Sequence, residues 1–423
     1  MLVDFSVENY GPFRDRATLS MQATSRKEHP ENLIDCSSAN MDLLTSALLF
    51  GANASGKSFM IRGINALKEM VRDTFPEDIR YRWYEPFELD PQCKDAPVSF
   101  RMRFCDGGVL YDYALSFLSD RIVSEELTYY PQKRAKNVFR RYGSDDLFKG
   151  NNRKLLRFLN PQSTFLALGA KSNDELCSKV RRMISSLIIL GSEDIRSLYL
   201  SSCRYVEKDE GKRNMMIGGL QKADFGITDY ELIDDSADHY ASRDTPSDGQ
   251  FSLYKDERGD ARIAVKHRYG GIGDEGLEAV FDMVAQESVG TKSTFGIMGP
   301  LVDCLTNGRT LIIDEFGAHL HPLLTRWIVE QFSSDNNPNG AQLIAVTHDV
   351  GLIDTRGLVR RDQIYFTNKS REDGSSELYC LSDFKGTRKD DQILRAYLMG
   401  RYEAIPLLSE IGVIHVRKNQ LPQ

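Results

Sequence analysis

The stretch Gly51-Ala52-Asn53-Ala54-Ser55-Gly56-Lys57-Ser58 constrains this chain more than any other. Its order, Gly-x4-Gly-Lys-Ser, follows the apolar run Ala47-Leu48-Leu49-Phe50 and precedes the helix-compatible residues Phe59 to Leu67. Strand, glycine-rich loop and helix in that order are the setting in which this pattern cradles phosphate. The glycines let consecutive backbone N–H groups face one anion, and the helix start adds partial positive charge. Lys57 is placed to reach the β- and γ-phosphates and Ser58 to ligate Mg²⁺ through its hydroxyl. The candidate nucleotide-binding residues are therefore Gly51, Asn53, Ser55, Gly56, Lys57 and Ser58, with ATP and Mg²⁺ as the implied ligands.

A second constellation lies far along the chain. Thr310-Leu311-Ile312-Ile313-Asp314-Glu315 is an apolar, β-branched run ending in two carboxylates. It reads as a buried parallel strand, whose carboxyl end is where open α/β sheets place ligands. Asp314 is the candidate metal ligand and Glu315 the candidate group that orients the attacking water. Alternation of side chains along a strand would let the adjacent pair serve metal and water separately. Leu343 to Thr347 reads as a further buried strand, ending in His348. Upstream, Glu287-Ser288-Val289-Gly290-Thr291-Lys292-Ser293 is a small-residue turn opening a helix, a second anion-binding terminus in which Ser288 and Gly290 are the candidates.

Between these motifs the pattern predicts an α/β fold with additions. Residues 1–90 carry two opening strands, with a turn at Asn9 to Pro12, and then the phosphate loop. Residues 91–145 read as an antiparallel β lobe, with Asp106-Gly107-Gly108 as a hairpin turn. Residues 146–274 form a helical and mixed insert, helical over Leu176 to Ile189 and Asp194 to Tyr205. Polar, turn-rich stretches at 207–214 and 234–261 predict loops. Residues 275–423 return to alternating helix and strand.

The order of phosphate loop, Ser-x-Gly turn, Asp-Glu strand and strand-end histidine resembles the ABC-type ATPases. Within them it resembles the RecF/SMC/OLD group, whose first strand and turn Phe5-Ser6-Val7-Glu8-Asn9-Tyr10-Gly11-Pro12-Phe13 matches. Three stretches are similar to the AAA-type ATPases of bacterial phage-defence operons, of RloA/AbiL or PARIS kind: Glu287 to Thr291, Leu320-His321-Pro322-Leu323-Leu324-Thr325-Arg326, and Arg361-Asp362-Gln363-Ile364-Tyr365-Phe366. The middle matches only loosely, as in Ala223-Asp224-Phe225-Gly226-Ile227. The resemblance implies that Ser288 and Gly290 touch the γ-phosphate held by a second subunit. It further implies that His348 is the switch histidine, that Phe316 to Leu320 form a dimer-contact loop, and that a glutamine senses Mg²⁺. Gln92 and Gln132 are both candidates for that glutamine, and the signature reads Ser-Val-Gly-Thr where transporters have Ser-Gly-Gly-Gln.

The implied function is a slow ATPase that dimerises on nucleotide. It would act as a sensor or scaffold in antiviral defence, holding a separately encoded toxin or nuclease, with a RecF-like DNA clamp as the alternative. Homodimers or higher homo-oligomers follow, and nucleic acid is not favoured, since the net charge of −7 supplies no global basic field. The densest basic cluster, Lys133 to Lys136 with Arg140 and Arg141, reads as a solvated hairpin, and Arg356 to Arg361 as a possible acidic-partner surface. His319 and His321 read as contact-loop residues rather than metal ligands. Seven scattered cysteines without a Cys-x-x-Cys pair argue against a disulfide framework, and no apolar stretch reaches membrane-span length. A cytoplasmic setting is the expectation.

Overall fold

The computed structural model describes residues 1–36, 39–72, 82–150, 152–191, 195–223, 226–233, 262–269, 277–384 and 392–405. Its centre is a parallel sheet. β5 (Ser46–Gly51), β15 (Thr310–Phe316), β16 (Gln342–Thr347) and β17 (Ile364–Lys369) run side by side. The short β11 (Ile188–Leu190) extends one edge in parallel, and β18 (Ser376–Cys380) pairs antiparallel at the other, in the order β11-β15-β16-β5-β17-β18. Each central strand feeds two cores. Ala47 and Leu49 of β5, Ile312 of β15, and Ile344 and Val346 of β16 enter one core. Leu48 and Phe50, Leu311 and Ile313, and Leu343 and Ala345 enter the other. Two covered faces explain why these strands read as unbroken apolar runs.

The first core lies between this sheet and an antiparallel one. β1 (Leu2–Glu8), β2 (Ala17–Ser20), β6 (Val98–Asp106), β7 (Val109–Phe117), β8 (Ile122–Tyr130), β9 (Lys136–Tyr142) and β10 (Ser144–Gly150) pair in the order β10-β9-β8-β7-β6-β1-β2. A small hairpin, β3 (Leu33–Cys36) with β4 (Met41–Leu44), precedes β5. α1 (Lys57–Arg72) packs between the two sheets, joined by α3 (Phe165–Lys171) and α4 (Glu175–Ser185). Gly63 permits the closest approach: a Cβ there would stand 3.0 Å from Val7 Cγ1. The segment 91–145, read from sequence as a lobe, is thus not a separate sheet. It completes the sheet begun by β1 and β2, because Phe5 and Val7 need the apolar face of β6 (Val98, Phe100, Met102) to be buried. A one-turn helix, α2 (Pro91–Lys94), leads into β6.

The second core holds α5 (Ile195–Val206), α6 (Glu210–Lys222), α7 (Val289–Asn307) and α8 (Pro322–Glu330). It also holds the three-stranded sheet of β12 (Ile227–Ile233), β13 (Arg262–Tyr269) and β14 (Leu277–Asp282), and α9 (Ile393–Leu398). Two expectations change here. Ile188 and Ile189 leave the predicted helix and add to the sheet beside Leu311 and Ile312, since β-branched residues fit a pleated edge. Residues 210–214 begin α6 instead of a loop, with Asp209 accepting from Lys212 N at the cap. The predicted loop at 234–261, and Asp224 and Phe225, lie outside the described residues.

Two arginine-bearing stretches are architectural. Arg361 is buried and forms a forked pair with Glu28, while Arg360, fully buried, pairs with Asp362 and donates to the Glu28 carbonyl. These two arginines are therefore not available to an acidic partner. Gln363 donates to Ser46 Oγ (2.7 Å), tying the start of β17 to that of β5. On the hairpin, Arg140 pairs with Glu126 and Arg141 with the buried Glu125. Cys36 and Cys105 lie side by side, because the β3–β4 hairpin folds onto the end of β6. Removing one partner of a buried pair strands the other charge, so Glu28→Ala is expected to destabilise by about 3 kcal/mol in urea unfolding.

Candidate active site

The phosphate loop joins the carboxyl end of β5 to α1, in the middle of the parallel sheet. Ala54 (φ 60°) and Gly56 (φ 105°) turn the backbone through conformations that fold the loop onto itself. Its shape is clamped from two distant places. Ser55 Oγ hydrogen-bonds Thr367 Oγ1 of β17. A Cβ on Gly51 would lie 2.3 Å from Thr367 Oγ1 and 2.7 Å from the Thr367 carbonyl. A Cβ on Gly56 would lie 3.0 Å from Phe13 and 3.1 Å from Pro12, in the turn between β1 and β2.

Lys57 is 6% exposed, and its ammonium donates to the carbonyls of Gly51 and Ala52, both at 2.8 Å. Burial pulls its pKa down, and Asp314 partly opposes this. A desolvated ammonium held by carbonyl dipoles alone is set to receive an anion. Ser58, next along α1, donates to Asp314 Oδ1 at 3.1 Å. A hydroxyl and a carboxylate in contact at a strand end suit Mg²⁺, a hard cation bound by oxygen. The residues present therefore fit ATP with Mg²⁺.

Asp314 and Glu315 do not alternate as in a regular strand. Ile313 pairs with Ala345 but Phe316 with Thr347, so β15 holds an extra residue here. The bulge puts Glu315 in the left-handed region (φ 53°), exposed, with its N–H donating to Asp314 Oδ1 at 3.0 Å. Separation of the two carboxylates thus comes from a bulge, a device that re-aims side chains beside functional sites. His348, at the end of β16, shares the electrostatic environment of Lys57, Glu315 and Asp314. Partial burial, then Lys57, lowers its pKa, and the two carboxylates oppose the shift. The shift favours the neutral ring.

Ser288 caps α7, accepting from Thr291 N at 3.1 Å and hydrogen-bonding Thr291 Oγ1 at 2.8 Å. It is exposed, as is Val289, and no described hydrogen bond links Ser288 or Gly290 to the phosphate loop of the same chain. Gly290 packs instead on the loop after β15, where a Cβ would meet the His319 carbonyl at 3.1 Å. His321 is the cap of α8, its Nδ1 accepting from Leu323 N. Among the described residues no three His, Cys, Asp or Glu side chains gather as a metal site. Neither Gln92 nor Gln132 is among the residues lining the cavity of about 660 Å³ that opens beside Gly56, Lys57 and Ser58 and is lined by Gly11, Pro12 and Tyr84 to Leu89. Sequence reading missed Thr367, and with it Thr347, whose hydroxyl donates to the Phe316 carbonyl at 2.7 Å, and Asp349, which accepts from Thr325 at 2.6 Å. Short polar residues at strand ends carry no pattern that could have singled them out.

Residues 46–354 match the family model described as "AAA domain, putative AbiEii toxin, Type IV TA system". The chain belongs to this family. The resemblance to AAA-type ATPases read from the sequence agrees with that membership, and the α/β fold expected there is the one observed. Among solved structures, the SmcHead bound to the C-winged helix domain of ScpA is similar at 12% identity and a TM-score of 0.46, covering 90% of this chain and 97% of that one. The SMC head domain from Thermotoga maritima is similar at 12% identity and 0.39, covering 90% and 98%. The Smc head domain with an extended coiled coil, bound to the C-terminal domain of ScpA derived from Pyrococcus furiosus, is similar at 11% identity and 0.45, covering 95% and 99%. No curated protein matches the chain. None of the described helices is long and apolar enough to cross a membrane.

Two outcomes are expected from this geometry. Gly51→Ala should push the loop off Thr367 and weaken nucleotide binding by about 10- to 100-fold, the value of one charge-assisted hydrogen bond, read by titration of a fluorescent ATP analogue. In the nucleotide-free protein His348 should titrate below 6.5, and Lys57→Met should move its midpoint upward, read by NMR of the imidazole protons.

Proposed function

We propose that this chain hydrolyses ATP slowly and uses the bound nucleotide to hold two copies together, as a sensor or scaffold in bacterial antiviral defence. The observation that carries the reading is the division of the site. Lys57, Ser58, Asp314, Glu315 and His348 converge within one chain, while Ser288 stands exposed, and Gly290 half-buried, at the surface formed by α7 and the His319 loop. A capped helix start that does not join its own phosphate loop is a donor for a neighbour's phosphate. Val289 and Leu323, 50% and 71% exposed, give that surface apolar contacts for a second copy.

Gly51, Asn53, Ser55, Gly56 and Lys57 would hold the phosphates, and Ser58 and Asp314 would hold Mg²⁺, whose charge would offset that of the triphosphate. Glu315 orients water for in-line attack on the γ-phosphorus. The new bond is from water oxygen to phosphorus, the broken one runs to the β-phosphate oxygen, and the water proton passes toward Glu315. Neutral His348 donates to the γ-phosphate, and positioning with charge stabilisation supplies the catalysis. Each charge-assisted hydrogen bond to phosphate contributes about 1.5–3 kcal/mol. Four or more across two sites would shift dimerisation by several orders of magnitude between ATP and ADP states.

The defence role rests on the family description, a type IV toxin–antitoxin context, and the controlled effector is then a separately encoded toxin or nuclease. A DNA clamp gains nothing from Arg140 and Arg141, which are paired with Glu126 and Glu125. Glu315→Gln should bind ATP, hydrolyse it at least about 100-fold more slowly, and accumulate as a dimer, measured by phosphate release and by mass in solution. Unchanged turnover would remove Glu315 from the mechanism.

A further inference from the structure

The buried face of β13 reads Ile263, Val265, His267, a histidine where the period-two pattern calls for an apolar side chain. Its ring lies against Phe281 of β14, with centroids 4.9 Å apart, and is 4% exposed. Nε2 donates to Glu287 Oε1 at 2.6 Å, and Glu287, also buried, immediately precedes Ser288. The intervening turn is cross-linked by hydrogen bonds. Asp282 accepts from the N–H groups of Val284 and Ala285, its own N–H donates to Gln286 Oε1, and Lys292 Nζ donates to the Val284 carbonyl. The exposed Ser288 hydroxyl is thus attached to the middle strand of the three-stranded sheet through one buried, charge-assisted hydrogen bond.

We infer that His267 and Glu287 are positioning residues, through which the β12–β14 sheet sets the place of Ser288 and so the strength with which one chain grips the nucleotide of another. This rests on the two-chain reading above. Neither residue touches the nucleotide. Both act through the start of α7, where an error of a fraction of an ångström matters. The sheet is suited to the role because it packs on α7 as well: Tyr230 of β12 meets Phe295 edge-on at 5.1 Å, and Met283 is fully buried at the end of β14. Arg213 of α6 pairs with Asp229 of β12, which links the sheet to a second helix on α7. A ligand or protein that displaces the sheet would move Ser288 without reaching the phosphate loop. Nucleotide binding by one chain and dimerisation by two then become separately adjustable.

The experiment uses the full-length Glu315→Gln chain with Mg²⁺–ATP, reading dimer formation by analytical ultracentrifugation and monomer affinity with a fluorescent ATP analogue. Glu287→Ala and His267→Ala should each weaken the ATP-dependent dimer about tenfold, the worth of one such hydrogen bond, with monomer affinity unchanged. Glu287→Gln, which keeps an acceptor for Nε2–H, should restore the dimer, and the double alanine variant should be no weaker than either single one. His267→Phe/Glu287→Leu replaces both partners by apolar groups, which preserves folding where single variants do not, and should show the same loss. Dimerisation equal to the parent in that pair, or an equal fall in monomer affinity, overturns the inference. Ser288→Arg separates the two levels. If it leaves the dimer intact, the two-chain reading fails and this one with it; if it abolishes the dimer while the His267 and Glu287 variants dimerise normally, only the positioning role fails.

Discussion

A buried ammonium held by its own loop is the interaction on which the rest depends. Lys57 has given up most of its water for two carbonyl oxygens, and dipoles compensate a desolvated charge only in part. The lowered pKa of the amine records that deficit. A triphosphate would supply the counter-charge that these dipoles replace only in part. The charge can be kept there only because the surrounding strands hold the Gly51 and Ala52 carbonyls in place.

That support comes from remote parts of the chain. β5 sits between β16 and β17, so its end cannot move without breaking two parallel ladders. Thr367 and Ser55 lock the loop sideways, while Pro12 and Phe13 press on Gly56 from the antiparallel sheet, and Ser376 N donates to the Pro12 carbonyl. The buried Glu28–Arg361 pair and Gln363 set where β17 begins. Stability and binding therefore share residues, and damage to the polar layer beneath β17 would reach the loop.

Much of this was legible beforehand. The phosphate loop, the strand leading to Asp314, the strand ending in His348 and the cap at Ser288 each declare themselves within a few neighbouring residues, because glycine spacing, apolar runs and caps are local signals. The joining of residues 1–20 to 98–150 in one sheet was not, since strand pairing across so long a separation leaves no local trace. The same holds for β11, a three-residue strand that borrows its pairing from β15. Arg360 and Arg361 looked like surface charge because nothing nearby in sequence announces Glu28. His267 was invisible for a related reason: a lone histidine on an apolar stripe looks like core until Glu287 is seen beside it.

The sequence by itself determined the groups offered: a glycine-rich loop with its lysine, a hydroxyl and a carboxylate, a second carboxylate and a helix cap. These are short-range properties of residue type and spacing. The tertiary structure alone decided how they are divided, with the bulge at Asp314–Glu315 separating the carboxylates and α7 turning Ser288 outward beside His319. It decided this because the direction of a side chain at a strand end, and the surface a helix start faces, are set by what packs behind them, and those packing partners come from distant parts of the chain.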